Sequence, residues 1–319
     1  MEYTNRTRFP AHLFRTAVGE HKIAASLLLR VTYDVRGGAL VPSEEQPWPT
    51  STAPFETEYG VMPPEGVFYR GGVDVFVFGS AHAPGGRKTS ELNVSVEIGD
   101  GFRRDARIFG PRVWYRRISG LVPGPPQPFT SIPLTLAHAY GGKEPWDGTE
   151  VPFSDNPDGT GFYTTEERAE GRPLPCIEDP AQLIKKWDDR PAPVGFGFVP
   201  PYASARMREV MRAGQDGKIS LDMPAFFNAA FPGMVARRVE PGAPVRLSGV
   251  HPSGPFTFEL PNTLPVARLR LGPSTAERPM AIDQIGVEVE RRRAFVSYRY
   301  PFRYVVRPLE RRIFEISLE

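Results

Sequence analysis

A chain of 319 residues with 39 Lys plus Arg against 37 Asp plus Glu carries a formal charge of +2, a balance that selects neither a nucleic acid nor an anionic membrane as partner. Its single cysteine, Cys176, excludes an intrachain disulfide and a cysteine-built metal cluster. The 36 prolines and 31 glycines exceed ordinary usage, yet 40% of the residues are hydrophobic, so the surplus reads as turns between short buried strands and not as disorder.

Residues 1–10 are polar, with Arg6 and Arg8, and carry no apolar core of signal-peptide length. The apolar run 23–29 falls far short of the roughly 20 residues a membrane helix needs. The expected location is the cytoplasm. Leu29, Val31, Tyr33 and Val35 then share one face at period two, which predicts a strand. Arg36-Gly37-Gly38 turns it into 39–41, a hairpin. Residues 42–64 hold six prolines and no period, so they read as a long ordered arm. The arm carries Trp48, Phe55 and Tyr59 on a chain that cannot join a central strand. Those rings either cover the protein's own β core or dock a partner.

Val73, Val75 and Val77 interleave with Asp74, Phe76 and Phe78, an apolar run suited to burial on both faces. Leu92, Val94, Val96 and Ile98 alternate with Asn93, Ser95 and Glu97, which predicts a strand with one wet face. Gly99-Asp100-Gly101 turns it toward a partner over 103–109. Asp179-Pro180 reads as an N-cap with proline at the first helical position, giving a short helix over 181–187. Residues 203–212 and 224–230 read as further short helices, separated from the first by the breaker-rich stretch 189–198. Strands return at 245–250, 256–260, 267–271, 285–289, 294–300 and 313–318, with Arg291-Arg292-Arg293 as a hairpin turn. The expected fold is mainly β: antiparallel sandwich-like sheets with a few short inserted helices, strand exceeding helix at least twofold. Three regions are expected: an N-terminal β region with Gly/Pro loop blocks (1–170), a loop and short-helix insertion (171–230), and a C-terminal β region packing on the first (231–319). They form either separate units or one continuous domain.

Candidate chemistry is sparse. His12, His21, His82, His138 and His251 show no metal-ligand spacing, and no zinc, phosphate-loop or nucleophile-elbow motif occurs. Asn156, Asp158, Thr160, Gly161 and Glu167 fall on positions 1, 3, 5, 6 and 12 of a calcium loop. However, Asn stands first and Pro157 spoils the entering helix; the bland alternative is a Gly-rich turn in which Asn156 and Asp158 bond their own backbone. No metal, cofactor or catalytic residue is therefore expected. Carboxylates among Asp155, Asp158, Asp188 and Asp189 leave a second reading open, a carbohydrate-active β-sandwich hydrolase using a carboxylate pair. Trp114, Trp146, Trp187, Tyr140 and Phe162 cluster near the Gly/Pro blocks. Trp146 is placed with Trp48, Phe55 and Tyr59 as a partner-binding candidate, core packing being its competing role. Arg112 and Arg190, each beside a proline, are expected to tie loops to Asp74, Glu178 or Asp179.

Asp74-Val75-Phe76-Val77-Phe78-Gly79, His82-Ala83-Pro84-Gly85-Gly86, Arg112 with Trp114, Tyr140-Gly141-Gly142, Asn156-Pro157, Gly161-Phe162, Glu178-Asp179-Pro180, and Asp189-Arg190-Pro191 through Gly195-Phe196-Gly197 follow one another in order. Taken together they resemble the domain-of-unknown-function family encoded beside type VI secretion effectors. The resemblance runs from Tyr33 to Pro201. It departs at Arg70-Gly71-Gly72-Val73, where a Lys-Pro-type lead-in is expected, and at Tyr298-Arg299-Tyr300-Pro301-Phe302, where a Trp-Arg-Gly-like segment is expected. It implies a non-enzymatic cytoplasmic adaptor or chaperone that binds a secreted effector or a PAAR-like protein, with the spike protein as a further candidate partner and no nucleic acid or membrane. No catalytic or binding residue is carried over with it.

Overall fold

The computed structural model describes residues 1–200, 202–214 and 217–318. The alternating run around Leu29 belongs to one long strand, Lys22–Arg36, buried along nearly all its length. It lies inside a central sheet, its two edges paired with Ala11–Gly19 and Arg293–Val305, both antiparallel to it. Arg293–Val305 pairs antiparallel with Ala281–Glu288. That strand lies parallel to Val73–Phe78, and Val235–Ala236 closes the far edge. All six residues of Val73–Phe78 are buried, as a strand with no wet face requires. Ala39–Pro42 folds back on Lys22–Arg36 as the expected hairpin.

Two further sheets pack with this one. Five strands run in the order Ile177–Glu178, Phe102–Phe109, Glu91–Ile98, Pro244–Ser248 and Phe256–Glu259. Four more follow the order Glu2–Asn5, Arg312–Ser317, Val266–Leu271 and Ser274–Pro279. Phe76 and Phe295 of the central sheet, Val96 and Leu247 of the second, and Leu269 and Phe314 of the third join one hydrophobic core. Each such side chain stabilises the fold by about 1.5–3 kcal/mol relative to exposure. Strands make up 48% of the structure and helices 7%, so the fold is mainly β with mostly antiparallel sheets and few short helices. No described helix is long and apolar enough to cross a membrane.

Chain segments far apart in sequence share these sheets: Lys22–Arg36 pairs with Arg293–Val305, and Glu91–Ile98 with Pro244–Ser248. Between them in sequence, 171–230 contributes the helices Ser204–Val210 and Met223–Phe226 and a hairpin of Met211–Ala213 with Ile219–Leu221. The helix expected over 181–187 does not form. Side-chain carboxylates take the backbone N–H groups there: Asp179 accepts from Ala181, Glu178 from Ile184, and Asp189 from both Lys185 and Lys186. Acceptors placed this way offer the backbone an alternative to helical bonding. The second and third helices are also shorter than the sequence suggests. Met211 opens the hairpin, and the N–H groups of Ala229 and Ala230 turn to the Asp74 carboxylate.

Asp74 belongs to a buried network of charges. Arg30, with no exposed surface, pairs with Glu65, donates to Gln284 at 2.8 Å and Ser297 at 2.8 Å, and reaches the Pro49 carbonyl at 2.7 Å. Gln284 passes a bond on to Asp74 at 3.2 Å, and Arg70 lies 3.4 Å from the same carboxylate. Arg70 and Arg299 grip Asp283 at 3.2 and 3.0 Å. Three guanidiniums thus face three carboxylates, and buried charges persist when paired in this way. The network locks the arm and the 227–230 segment onto the sheet. Farther along the arm, Gln46 bonds both the N–H and the C=O of Thr32, taking the place of a strand neighbour.

Candidate functional site

The four aromatic residues singled out from the sequence divide between two places. Trp48 is only 4% exposed. Its ring packs on Phe295 at 4.6 Å and Phe78 at 5.6 Å, and its Nε1 donates to Glu288 at 3.1 Å. Phe55 is half-buried against the same core, on a short hairpin of Phe55–Thr57 with Gly60–Met62. Tyr59 stacks on Phe78 at 4.4 Å and donates to Glu288 at 3.2 Å. Burial first, and then the Glu288 and Glu58 carboxylates, hold its phenol well above the usual range, which keeps it a neutral donor. Trp146 stands apart. It is 51% exposed on the hairpin of Lys143–Trp146 with Thr149–Pro152. Trp48 thus covers the core in the free protein, while Tyr59 and Trp146 keep surface to offer.

Tyr59 borders a cleft of about 590 Å³ at the carboxyl end of Val73–Phe78. Three walls are set by backbone hydrogen bonds to consecutive residues there. The Val77 N–H donates to the Phe196 carbonyl at 2.9 Å, which brings in Phe196, Gly197 and Phe198. The Val289 N–H donates to the Phe78 carbonyl at 3.0 Å and carries Glu290 and Arg291 to the rim. The Leu134 N–H donates to the Gly79 carbonyl at 2.9 Å and places Leu134 and Leu136 on the third side. Gly79 itself has φ of 149°, a conformation that favours glycine. A Cβ there would meet Glu290 Oε2 at 2.5 Å, so glycine also makes room for the carboxylate across the strand end.

The rim is charged and the walls are apolar. Arg291 spans Glu58 at 2.7 Å and Glu288 at 3.7 Å. Glu290 has only His82, at 3.8 Å, as an ion-pair neighbour among the described residues. Apolar walls with a few placed polar groups are the usual make-up of a binding pocket. Two of the ordered sequence blocks, 74–79 and 195–197, meet here. Glu58 and Glu290 were not legible as site residues: Glu58 lies in the arm 42–64, which shows no period, and Glu290 stands beside Arg291-Arg292-Arg293, which reads as a solvated hairpin turn.

The remaining candidates have local roles. Asn156 is buried and its Nδ2 donates to the carbonyls of Leu136 at 2.8 Å and Tyr140 at 3.1 Å, so it staples the turn. Thr160 bonds the Ala137 carbonyl, and the exposed Asp158 lies 3.9 Å from Lys143. Glu167 stands at the start of the short helix Glu166–Ala169, where its own N–H and the Thr165 hydroxyl hold its carboxyl below the usual range. Among the described residues no group of three or more His, Cys, Asp or Glu could hold a metal ion. Chelator treatment is expected to leave the melting temperature unchanged; a fall of several degrees that calcium restores would mean the turn binds an ion.

Asp155 is buried against Arg208 at 2.7 Å, Asp188 is exposed, and Asp189 caps 185–186. None of these lines the cleft. Arg112 does tie a loop to Glu178, in a buried ion pair. Arg190 forms no such pair among the described residues: it donates to the carbonyls of Tyr163, Trp187 and Asp189 and lies over the Phe162 and Trp187 rings. Asp179 pairs with Arg104 instead. Trp114 and Tyr140 are buried in a second, smaller core with Phe162 and Trp187 packed against it. Cys176 is a buried free thiol, its pKa pushed up by burial.

A family model described as an uncharacterized protein conserved in bacteria, DUF2169, matches residues 21–299. The match extends beyond both ends of the resembling blocks and takes in Ala281–Glu288 and the rim residues of the cleft. Neither the curated proteins nor the solved structures gave a match.

Proposed function

The chain belongs to the DUF2169 family of bacterial proteins, and from that premise we propose that it is a non-enzymatic adaptor whose cleft holds a protein partner. The partner is a secreted effector or its PAAR-like domain, held in the cytoplasm until it is mounted on a type VI secretion spike. The observation that carries this reading is the cleft itself, where Tyr59, Phe78, Phe196 and Phe198 meet around about 590 Å³. Aromatic pockets of this kind take the anchor side chains that supply most of the energy of an interface. The arm supports the reading too, because Trp48 and the Arg30–Glu65 pair fix Tyr59 and its hairpin before any partner arrives. A pre-ordered surface loses less entropy on binding.

Co-expression with the products of neighbouring genes, followed by affinity purification and mass spectrometry, tests the proposal. The expected result is capture of one effector or PAAR-like product. Gly197→Leu provides the site-specific control. Gly197 lines the cleft, and a Cβ there meets only Phe78 Cε1, at 4.0 Å, so the added side chain starts from open space on the cleft wall. Capture is expected to fall about tenfold or more with the melting temperature unchanged. Failure of the wild type to capture any neighbouring product, or full capture by Gly197→Leu, would overturn the proposal.

A further inference from the structure

We propose that the cleft receives a cationic side chain, arginine or lysine, from the protein partner; this deepens the adaptor reading of the same cleft and rests on it. Three observations converge. The first is the wall chemistry. Tyr59, Phe78, Phe196 and Phe198 line the cleft, with Tyr59 stacked on Phe78 at 4.4 Å and Phe198 tilted against Phe78 at 5.2 Å. Aromatic faces attract cations through their quadrupole. They also pack well on the methylene stem of lysine or arginine, whose charged head stays at the polar mouth.

The second observation is an unneutralised carboxylate at that mouth. Glu58 is engaged by Arg291 at 2.7 Å, and Glu288 receives the Trp48 indole, the Tyr59 hydroxyl and Arg291. Among the described residues Glu290 has no such partner: its side chain is half exposed, with only His82 at 3.8 Å. Its carboxylate lies directly over Gly79, where a Cβ would meet it at 2.5 Å. The third observation is charge. The cleft carries Glu58 and Glu290 against Arg291 alone, an acidic spot on a chain whose formal net charge is +2. A guanidinium or ammonium group entering over the rings would meet Glu290 as its counter-ion, and a carboxylate-bearing side chain would be repelled.

Amide-detected NMR with N-acetyl-arginine amide and N-acetyl-lysine amide as probes, and N-acetyl-norleucine amide as the uncharged comparison, tests this inference. The expected result is saturable shifts at Gly79, Ser80 and Gly197 for the two cations, with dissociation constants of about 1–10 mM, and binding about tenfold weaker for norleucine amide. Glu290→Gln should weaken the cations about tenfold, to the level of norleucine amide, and Gly197→Leu, which leaves Glu290 in place, should abolish the shifts. Norleucine amide binding as tightly as arginine amide, undiminished cation binding to Glu290→Gln, or no saturable shift in the wild type would each overturn the inference. Partner capture separates it from the reading beneath it. Equal capture of a neighbouring product by wild type and Glu290→Gln removes the cation site and leaves the adaptor. Cation binding by a wild type that captures no neighbouring product removes the adaptor and leaves the cation site.

Discussion

Asp74→Ala is expected to lower folding stability by about 3–5 kcal/mol, the loss typical when one member of a buried ion pair is removed. Asp74 has no exposed surface and receives bonds from Asn228 at 2.9 Å, the Ala229 N–H at 2.9 Å, the Ala230 N–H at 3.1 Å and Gln284 at 3.2 Å. Its removal strands these donors and leaves Arg70 with Asp283 as its ion-pair partner. Asp74→Asn keeps the shape and one acceptor oxygen, so a smaller loss is expected. Urea unfolding of both variants, with an unchanged slope, gives the comparison. Hydrogen exchange at Ala229 and Ala230 should rise in Asp74→Ala below the urea concentrations that unfold the whole chain. A wild-type midpoint for Asp74→Ala would mean that the network contributes nothing to stability.

The same network fixes a response to acid. Burial raises the Asp283 carboxyl, but the Arg299 and Arg70 guanidiniums outweigh it and leave the group below its ordinary value of 3.8. A carboxyl lowered in the folded state adds stability that is complete above its unfolded value and is lost as pH falls through the folded one. Stability is therefore expected to decline below about pH 4. Asp283→Asn should be less stable at neutral pH and show a shallower acid decline. An acid limb as steep as that of the wild type would assign the response to other carboxylates.

Trp48→Ala is the second large expected loss, about 3–5 kcal/mol for a buried aromatic. The substitution opens a void between Phe78, Phe295 and Phe198 and takes the indole donor from Glu288, a buried carboxylate. Trp48→Phe separates the two effects, since it keeps most of the ring contact and loses the hydrogen bond, at about 1–3 kcal/mol. Phe55→Ala should do less than Trp48→Ala, because Phe55 is only half-buried. Thermal melts of the three variants rank these losses. A Trp48→Ala melt equal to that of the wild type would place the ring outside the core.

The sheet centre was legible because burial on both faces leaves an apolar run such as Val73–Phe78. The edges were not. Ala11–Gly19 and Ser274–Pro279 are mostly exposed, and an exposed strand has no reason to alternate. Arg30 was the hardest residue to read. It sits in the run Leu27-Leu28-Leu29-Arg30-Val31, and its carboxylate lies 35 residues away at Glu65 with its amide partner Gln284 a further 219 on. Only the folded chain brings such partners together. The cleft was half legible. Gly79 and 195–197 mark its loops, whereas Glu290 looks like a solvated charge until the parallel pairing of 281–288 with 73–78 carries it across Gly79.

The pairing of Lys22–Arg36 with Arg293–Val305 also sets the order of events during synthesis. A ribosome adds roughly 5–20 residues per second, so the first long strand waits many seconds for the neighbour that completes its hydrogen-bonding edge. Until then, a nascent chain carries the apolar run 23–35 as an open template for intermolecular pairing. Contacts that span this much sequence make folding slow. C-terminal truncation before residue 293 should therefore yield aggregate in place of a smaller folded protein.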